Sequence, residues 1–407
     1  MQTDYDIAIV GGGMVGAGLA CALAGSGYSI ALIEAVSPNA DAQPSYDDRG
    51  LSLSLATQRI LAALNVWPAL ASEATPIEHI HVSDRGRFGF VRLHAADMGL
   101  PAMGHVVVAR QLGKALLAGV RAAKNIDFLC PARVDDVDVS AETAELKLDA
   151  DGAPASLTCR LLVVADGARS GLRERLGYVV GEKDYGQTAI VANVSPERSH
   201  NNWAFERFTN SGPVALLPLP DNRCASVFTV AREEAEHCLA MTDGDYLERL
   251  QNRFGRRLGR LTRVGSRKSY PIVKLEAETP LGQRSLLLGN AAHTIHPNGA
   301  QGFNLGLRDA AGLAEILLQS RAPDAGDARV LRQYLSLRQE DQQRVIRFTD
   351  RLAACFYNDD PLRILCRDTG MLLTDLVPGF KRAFMRRAMG IAGRQPAMVR
   401  TGELHGG

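Results

Sequence analysis

The chain has 407 residues, 46% of them hydrophobic and 22% charged, which is an ordinary globular composition. That composition excludes a disordered, collagen-like or disulfide-scaffold protein, and the length allows two or three domains at roughly 150 residues each. The 46 Lys and Arg balance 45 Asp and Glu to a net charge of +1, so charge gives no reason to expect a nucleic-acid partner. The seven Cys form no CxxC pair, which favours a reducing cytoplasm over a disulfide framework.

The chain opens with a strand, a glycine-rich turn, a helix and a second strand. Apolar patterning predicts the strand Tyr5–Val10, the helix Gly13–Ala24 and the strand Ser29–Glu34. Residues 7–33 carry no charged side chain, and about 20 apolar residues suffice to span a bilayer. However, the run contains seven glycines, and Asp4 and Asp6 precede it where a signal peptide carries basic residues. We therefore expect no transmembrane helix in this chain.

The predicted secondary structure changes character twice along the rest of the chain. Helical spacing predicts Gln58–Leu64 and Gln111–Ala123, and strand-like runs follow at Ala132–Val139, Glu145–Leu148 and Leu161–Ala165. From about residue 181 to 273 the predicted elements are the strands Thr188–Val194, Val214–Pro218 and Ala225–Ala231 and the helix Asp245–Leu258. The strand Ser285–Leu288, a second glycine-rich turn and the helix Phe303–Leu318 come next, and after residue 329 the chain is mostly helical. This order predicts an α/β dinucleotide-type domain interrupted by a β-rich domain, with a helical tail.

The first glycine-rich turn fits the GxGxxG pattern, with Gly11, Gly13 and Gly16 at the glycine positions. Such a turn lets backbone N–H groups approach a pyrophosphate at the positive end of a helix. Glu34 follows Gly13 by 21 positions, where its carboxylate can accept from a ribose 2′-hydroxyl and would repel a 2′-phosphate. A tight turn without a ligand is the alternative, but the strand, the helix and the spaced acid together favour dinucleotide binding. This motif alone does not separate FAD from NAD.

Two further motifs bear on the identity of the dinucleotide. One predicted strand ends in Asp166-Gly167, and another ends in Gly289-Asn290 and leads into the glycine-rich run 297–304. The second turn provides another positive helix end, which stabilises an adjacent anion by about 0.3–1 kcal/mol. A reduced flavin carries its negative charge on the pyrimidine side of the ring, so this turn suits an isoalloxazine.

These three motifs, in this order and spacing, resemble the FAD-dependent single-component aromatic hydroxylases of the p-hydroxybenzoate hydroxylase-like fold. The run from Gly289 to Asp309 and the tail are similar to the ubiquinone-biosynthesis hydroxylases, in particular the 2-polyprenyl-6-methoxyphenol type. The resemblance implies noncovalent FAD, NAD(P)H as co-substrate, and ring hydroxylation of a polyprenyl phenol by O₂ through a flavin C4a-hydroperoxide. Two alternatives stay open: a relative acting on another ring position or a soluble aromatic substrate, and a non-catalytic flavin-binding scaffold of a quinone-biosynthesis complex.

The resemblance also predicts the domain organisation, a two-domain α/β protein with a GR2-type, Rossmann-like FAD-binding domain. The FAD-binding domain is expected at 1–75, 100–180 and 275–345. The β-rich substrate domain is expected at 76–99 and 181–274, and a helical C-terminal region at 346–407.

Cofactor contacts are carried over only onto positions that match the family's motifs. Arg49 matches an arginine near the flavin, Arg110 one that reaches the FAD ribose and phosphate region, and Val134 a backbone contact to adenine. Most of the family has Asp where this chain has Asn290, and an amide oxygen can accept the same ribityl hydrogen bond. The cofactor-binding candidates are Gly11, Gly13, Gly16, Glu34, Arg49, Arg110, Val134, Asp166, Gly167, Gly289, Asn290, Pro297, Gly299, Gln301, Gly302 and Asn304.

The sequence identifies no catalytic acid–base pair. His293 and His296 are weak candidates, because a histidine near a turn is more often a structural hydrogen-bond partner, and Asp309 is expected to be structural. No cluster has the spacing of a metal site, so none is predicted. The substrate contacts are expected to come from the β-rich middle of the chain, where no residue stands out.

The C-terminal tail is basic and partly amphipathic. Between Leu376 and Arg400 it carries six basic residues and no acidic one. Such a segment can lie at an anionic membrane surface, which predicts peripheral contact at the inner face of the cytoplasmic membrane or with a lipid-presenting partner. The alternative is a helix packed on the parent domain with a solvated basic face. The residues concerned are the basic Lys381, Arg382, Arg386, Arg387, Arg394 and Arg400 and the interspersed Phe380, Phe384, Met385 and Met389.

Overall fold

The computed structural model of the protein describes residues 3–38, 48–149, 156–320, 322–356 and 360–403. The strands are β1 Tyr5–Val10, β2 Ile30–Ile33, β3 Gly50–Ser54, β4 Thr75–Ile77, β5 His79–Asp84, β6 Phe90–His94, β7 Gly104–Val108, β8 Ile126–Leu129, β9 Arg133–Val139, β10 Ala144–Asp149, β11 Ser156–Val164, β12 Val180–Pro196, β13 Trp203–Phe208, β14 Val214–Leu219, β15 Arg223–Ala231, β16 Leu261–Val264, β17 Lys268–Ala277, β18 Leu281–Gly282, β19 Ser285–Leu287 and β20 His293–Thr294. The helices are α1 Met14–Ala22, α2 Leu55–Ala63, α3 Ala109–Ala122, α4 Gly171–Arg175, α5 Ala235–Ala240, α6 Asp243–Phe254, α7 Gln301–Ser320, α8 Ala328–Phe356, α9 Pro361–Leu376, α10 Pro378–Ala388 and α11 Ala397–Arg400.

Most predicted elements lie within a few residues of their observed bounds. The strand predicted at Leu161–Ala165 begins earlier, at Ser156 of β11, and two further elements differ as follows. The predicted strand Thr188–Val194 is only the middle of β12, which pairs with β15 along one edge and with β17 along the other. The predicted helix Asp245–Leu258 begins earlier, at a Thr242 cap whose side chain accepts from the N–H of Asp245. It also ends at Phe254, because Gly255 adopts a positive φ of 89° that stops the helix.

The first sheet has the strand order β18-β19-β11-β1-β2-β8, and its pairs from β19 to β8 are parallel. Its centre is buried on both faces, as a parallel sheet requires, and Ile7, Ala8 and Ile9 of β1 are all 0% exposed. Apolar residues of α1, α3 and α7 pack on one face. The antiparallel extension formed by β9 and β10 packs on the other face, against Ala8 and Val10.

Helix α1 lies close to α7 because its packing face is made of small residues. A Cβ atom added to Gly18 would lie 2.6 Å from Cδ1 of Leu307. The uncharged run 7–33 is thus a core strand, turn, helix and second strand. No helix among the described residues is both long and apolar enough to cross a membrane.

The second sheet has the order β20-β17-β12-β15-β14-β13-β5-β6, with β16 on the edge of β12. Residues of α6 such as Tyr246 pack on one face, against Phe205 and Phe228. A small sheet, β3-β7-β4, contacts the other face, where Val106 packs against Ala204. The domain boundaries given above stay a prediction.

Helices α7 and α8 are joined by a buried network of ion pairs. Arg338 Nε donates to Asp309 Oδ1 at 2.7 Å, and Arg338 also donates to Asp341 Oδ2 at 2.7 Å. Arg308 Nε donates to the same Asp341 oxygen at 3.0 Å. Each of these four side chains is at most 7% exposed, so every charge depends on its partners for compensation. The structural role expected for Asp309 agrees with this arrangement.

Candidate functional site

The first glycine-rich turn brings the start of α1 against the end of β1. Gly11 has a φ of 107°, and a Cβ atom there would lie 2.4 Å from the carbonyl oxygen of Ala165. A Cβ atom on Gly16 would lie 2.0 Å from the carbonyl oxygen of Gly11. Gly13 is the N-cap of α1 and has no capping side chain. Glycine is therefore required at Gly11 and Gly16 by backbone packing, and the first N–H groups of a helix, which have no partner within it, can form an anion cradle.

Glu34 lies beside this turn, directly after β2. Its Oε2 accepts from the N–H of Gly12 at 2.7 Å, and its Oε1 accepts from the N–H of Val36 at 2.8 Å. Each carboxylate oxygen has a second lone pair, so these bonds leave capacity for a ribose hydroxyl. The carbonyl of Glu34 accepts from the N–H of Ala132 at 2.8 Å. This bond holds the start of β9, which contains Val134, near the end of β2.

Asp166 and Gly167 lie next to the first turn because β11 pairs with β1. The N–H of Ala165 donates to the carbonyl of Val10 at 2.7 Å. Gly167 has a φ of 95°, and a Cβ atom there would meet no described atom within 4 Å. Desolvation by the surrounding protein raises the pKa of Asp166, although its side chain still reaches solvent.

The third motif meets the other two at the same sheet edge. The N–H of Leu288 donates to the carbonyl of Val164 at 2.9 Å, which continues the sheet to Gly289. A Cβ atom on Gly289 would lie 3.1 Å from Cγ1 of Val15, so this turn rests on α1. Asn290 is exposed. We call this edge, formed by Gly11, Asp166, Gly289 and Asn290, the cofactor cleft; it lies at the carboxyl ends of parallel strands, where such sheets bind ligands.

The second glycine-rich turn, residues 297–300, leads directly into α7. Gly299 has a φ of 66°, and Pro297 and Gly299 are exposed while Gly302 is half-buried. Gln301 Nε2 donates to the carbonyls of Gly299 at 3.0 Å and Ala388 at 3.3 Å. The turn is thus held by the helix that follows it and by the end of α10.

Asn304 is bonded entirely within the protein. Its Oδ1 accepts from the N–H of Ser54 at 2.8 Å and from Thr57 Oγ1 at 2.7 Å. Its Nδ2 donates to the carbonyls of Ser52 at 2.9 Å and Ala300 at 2.7 Å. These bonds tie β3 and α2 to the second turn, and any contact of Asn304 with a cofactor stays a prediction.

Arg49 and Arg110 are brought together by the pairing of two neighbouring strands. The N–H of Ala109 donates to the carbonyl of Arg49 at 3.0 Å, where β3 and β7 pair. Arg110 forms an exposed ion pair with Asp48 at 3.1 Å, and the Arg49 guanidinium carbon lies 5.4 Å from the ring centre of Tyr270. Their contact with a cofactor stays a prediction.

His293 and His296 are both buried in structural contacts. His293 Nε2 lies 2.7 Å from Asp309 Oδ2 in the α7–α8 network. His296 meets the ring of Tyr185 edge-on at 4.8 Å, and burial lowers its pKa to about 4, so it is neutral at physiological pH. Burial alone would raise the pKa of Asp309, but Arg338 and His293 lower it to about 2. The catalytic role suggested for the two histidines stays a prediction.

A large apolar cavity lies between the second sheet and the C-terminal helices. Its volume is about 360 Å³. The second glycine-rich turn lines one part of the cavity through Gly299. The apolar side chains that line it include Ile80, Val82, Val91, Leu93, Phe208, Phe348, Leu352, Met371, Phe384 and Met389. No sequence signal could have located this cavity, because its walls come from elements that are distant along the chain.

Glu206 is a polar residue of this cavity that the sequence analysis missed. It lies on β13, and its Oε1 accepts from the N–H of Gly299 at 3.3 Å. The residue is half-buried, and desolvation in the cavity raises the pKa of its carboxyl to about 7. The alternation along β13 is a signal that could have found it, because Glu206 shares a face with the buried Ala204 and Phe208.

The arrangement fits a bound dinucleotide with a flavin. A Cβ atom would fill the cradle at Gly11 and Gly16, and the exposed amide of Asn290 is available beside it. Among the described residues, no group of His, Cys, Asp and Glu is placed to hold a metal ion. The site thus combines a backbone cradle, an exposed edge of polar groups and a neighbouring apolar cavity.

Comparison with known proteins agrees with this geometry. The FAD-binding domain family matches residues 4–349. The ubiquinone hydroxylase UbiL of Rhodospirillum rubrum is 38% identical over 393 residues, covering 95% of this chain and 89% of that protein. The 3-demethoxyubiquinol 3-hydroxylase of Escherichia coli is 30% identical over 392 residues, covering 95% of this chain and 98% of that protein.

A solved structure shows the fold. The p-nitrophenol 4-monooxygenase PnpA from Pseudomonas putida matches with a TM-score of 0.79 at 18% identity, covering 97% of this chain and 100% of that one. The predicted p-hydroxybenzoate hydroxylase-like α/β fold is confirmed, as is the resemblance to ubiquinone hydroxylases.

Proposed function

The chain belongs to the FAD-binding domain family, and we propose that it hydroxylates the aromatic ring of a polyprenyl phenol in ubiquinone biosynthesis. It is an FAD-dependent monooxygenase that consumes NAD(P)H and O₂. When bound, FAD supplies the activation of oxygen, and the protein binds, orients and shields the reactants. This family membership favours an enzyme over the non-catalytic scaffold.

The observation that carries the substrate proposal is the apolar cavity beside the second glycine-rich turn. Its walls suit a prenylated ring, because each Å² of apolar surface removed from water contributes about 25 cal/mol. Two of its guanidinium groups are already paired, Arg344 with Glu340 and Arg367 with Asp84. Both are thereby compensated within the protein, whereas Arg387, which also lines the cavity, is exposed on α10.

The test supplies the purified, FAD-loaded protein with NAD(P)H, O₂ and a short-chain 2-prenyl-6-methoxyphenol. We expect NAD(P)H oxidation that depends on the phenol, and one oxygen atom from labelled O₂ in the product. Mass spectrometry of the quinone intermediates that accumulate in a deletion strain grown with oxygen identifies the ring position. NAD(P)H oxidation that no phenol stimulates, with no intermediate accumulating in the strain, would contradict the proposal.

We also propose that helices α9 and α10 dock the protein on an anionic membrane. Six large apolar side chains on these helices and the residue that joins them are exposed, led by Leu362 at 69%, Leu376 at 65% and Phe380 at 60%. We call this surface the apolar patch; its members are Leu362, Leu365, Leu373, Leu376, Val377 and Phe380. Exposed apolar patches of this kind occur at interaction surfaces.

The surroundings of the patch favour anionic lipid as the occupant. Arg382, Arg386 and Arg387 are exposed on α10, and each cation near an anionic surface adds about 1 kcal/mol. The acidic side chain nearest in sequence, Asp375, is buried against Arg92. The opposite side of the same helices lines the apolar cavity, so a membrane bound at the patch would lie next to the proposed binding site of the lipid phenol.

The structure alters the composition of the predicted amphipathic face. Met385 and Met389 are 0% and 1% exposed, because they pack inside with Phe384 rather than facing a membrane. Lys381 is also withdrawn, at 3.9 Å from Asp97 and 3.8 Å from Asp375. The variants that test vesicle binding therefore leave Lys381, Met385 and Met389 unchanged.

Flotation with phosphatidylglycerol vesicles tests the docking. We expect salt-sensitive binding. The double variant Leu376→Ser with Phe380→Ser should abolish it, because apolar contacts with the membrane are removed. The double variant Arg382→Gln with Arg386→Gln should weaken it, because cationic contacts are removed. Val179→Ser is the matched control, since Val179 is 59% exposed outside the patch. A parent protein that never floats, yet hydroxylates a long-chain phenol unaided, would show that the docking proposal is wrong.

A further inference from the structure

We propose that Glu206 is the proton acceptor for the hydroxyl group of the phenol substrate. The inference rests on the proposed function, since it assigns the base of that reaction. The two histidines are less suited to the role: burial lowers the pKa of His296 to about 4, which makes it a weak base, and His293 is bonded to Asp309.

The backbone of β13 places Glu206 on the cavity side of the sheet. Phe205 packs with α6 on one face, whereas Ala204 and Phe208 pack on the opposite face with Glu206. The residues directly opposite Glu206 are Val82 of β5 and Ala215 of β14. The carboxyl thus has apolar neighbours on both sides within the sheet.

The other charged side chains of the cavity are committed elsewhere or lie on its outer rim. Asp341, the other carboxylate among the described lining residues, is compensated by Arg308 and Arg338. Arg344 and Arg367 are paired with Glu340 and Asp84, and Arg387 of α10 is exposed. Among the described residues, Glu206 has no cationic partner within 4.0 Å, and the N–H of Gly299 is its hydrogen-bond donor.

The environment of Glu206 suits a base for a phenol. Burial raises the pKa of Glu206 to about 7. This value is closer to the pKa of a phenol, about 10, than the pKa of an exposed carboxylate is. A base is most effective when its pKa lies near the working pH. At neutral pH a substantial fraction of Glu206 is then the carboxylate, and this carboxylate is basic enough to accept the phenol proton.

The step itself is a proton transfer. The phenol O–H bond breaks, its electron pair stays on the phenol oxygen, and the proton bonds to an Oε atom of Glu206. The ring carbons ortho and para to that oxygen gain electron density, which is what attack by an electrophilic oxygen requires. Glu206 becomes a neutral acid and returns the proton to solvent after the product leaves. The contact with Gly299 means that this hydroxyl is held beside the second glycine-rich turn.

The decisive variant is Glu206→Gln. Glutamine keeps an oxygen that can accept from the N–H of Gly299, so the turn and the FAD content are expected to be unchanged. It cannot take up a proton, so kcat should fall by about 10²-fold or more. The parent's kcat should rise with pH through about 7, where Glu206 ionises, and this limb should be absent from the variant. Glu182→Gln is the matched control, because Glu182 is exposed on β12 of the same sheet.

A second readout is independent of turnover. A 2-prenyl-6-methoxyphenol labelled with ¹³C at the hydroxyl-bearing carbon is bound to the FAD-loaded protein, and its chemical shift is followed with pH. We expect the shift to titrate with a midpoint near 7 in the parent and in Glu182→Gln, and not in Glu206→Gln.

The outcomes separate the two proposals. An identical titration in Glu206→Gln, or an unchanged kcat, would overturn the assignment and leave the hydroxylase function intact. Loss of FAD from the variant would assign Glu206 to holding the turn and would also overturn it. A parent that neither binds nor hydroxylates the phenol would overturn the proposed function, and this inference with it.

Discussion

The cofactor cleft and the apolar cavity are built from different parts of the protein. The cleft consists of backbone turns at the ends of neighbouring parallel strands, and each turn is a short run of consecutive residues. The cavity is lined mostly by side chains from β5, β6, β13, α8, α9 and α10, and its lining residues are spread between positions 52 and 392. The contrast shows why one region can be recognised as a motif, whereas the other exists only once the chain has folded.

The ion-pair network joins the two regions. His293 follows the third motif of the cleft and contacts Asp309 of α7, while Asp341 of α8 lines the cavity. Arg338 contacts both aspartates and therefore holds the two helices together. A substitution in the network is therefore expected to lower the stability of the whole fold. A substitution in the cleft or in the cavity is expected to change ligand binding at that site alone.

The largest expected effect comes from Arg338→Leu. The substitution leaves Asp309 and Asp341 as buried charges with too few partners, so we expect a loss of about 3–5 kcal/mol in the free energy of unfolding. Urea denaturation of the two proteins measures it. Arg347→Leu, on the exposed side of the same helix, should change stability by no more than about 0.5 kcal/mol. Equal losses in both variants would show that the buried network contributes no more to stability than an exposed arginine of the same helix.

The same pair of proteins has a predictable pH dependence. The pKa of Asp309 is lowered in the folded protein, from 3.8 to about 2. The ion pair therefore stabilises the fold above about 3.8, and this contribution is lost as the pH falls toward 2. The stability difference between parent and Arg338→Leu should shrink over that range, and a constant difference would contradict the assignment.

The next largest effect is confined to the cleft. If Asn290 Oδ1 accepts a ribityl hydrogen bond, Asn290→Leu should weaken FAD binding by about 1–3 kcal/mol, because one partner of the bond is lost. Asn290→Asp should bind FAD as the parent does, since a carboxylate is an equally capable acceptor. Titration of the apoprotein with FAD measures both, and unchanged affinity of the Leu variant would remove Asn290 from the site.

A smaller effect is expected in the cavity alone. Leu352→Trp extends a half-buried side chain from α8 into the cavity. We expect about tenfold weaker binding of a prenylated phenol, which is about 1.4 kcal/mol, with FAD affinity unchanged. Phenol titration of the FAD-loaded protein measures the first and apoprotein titration the second. A parallel loss of FAD would mean that the two regions are not separate.

The smallest expected effect is the coupling between the two sites. The loss of FAD affinity caused by Asn290→Leu should be the same in the Leu352→Trp background, within about 0.5 kcal/mol, because separate sites without shared partners act additively. FAD titration of the double variant completes the cycle. A larger coupling energy would show that the network transmits changes between cleft and cavity.

Local patterns in the sequence were reliable where neighbouring residues decide the structure. The GxGxxG turn at Gly11–Gly16 follows a strand and caps a helix as predicted, since its backbone geometry depends on residues within a few positions. Asp166 and Asn290 were also predicted to serve one site, and parallel pairing of β1, β11 and β19 brings them to one sheet edge. Their contacts with FAD stay predictions.

The amphipathic tail shows where local patterns fail. The i,i+4 spacing of Met385 and Met389 with neighbouring cations describes a membrane-facing helix as well as one packed on the protein. Burial of both methionines decides for packing, and the exposed patch comes largely from Leu362, Leu365 and other residues of α9. Spacing identifies which residues share a helix face, but not what covers that face.

The sequence by itself determined the family, the fold class and the three short motifs at Gly11–Gly16, Asp166-Gly167 and Gly289-Asn290, because backbone turns and strand ends depend on short-range residue order. Only the tertiary structure decided the environment of Glu206. Desolvation raises its pKa, and the walls of the cavity around it come from β5, β6 and the C-terminal helices, which β-sheet pairing and helix packing bring together. Desolvation depends on everything within a few ångströms in space, and that information is spread over most of the chain.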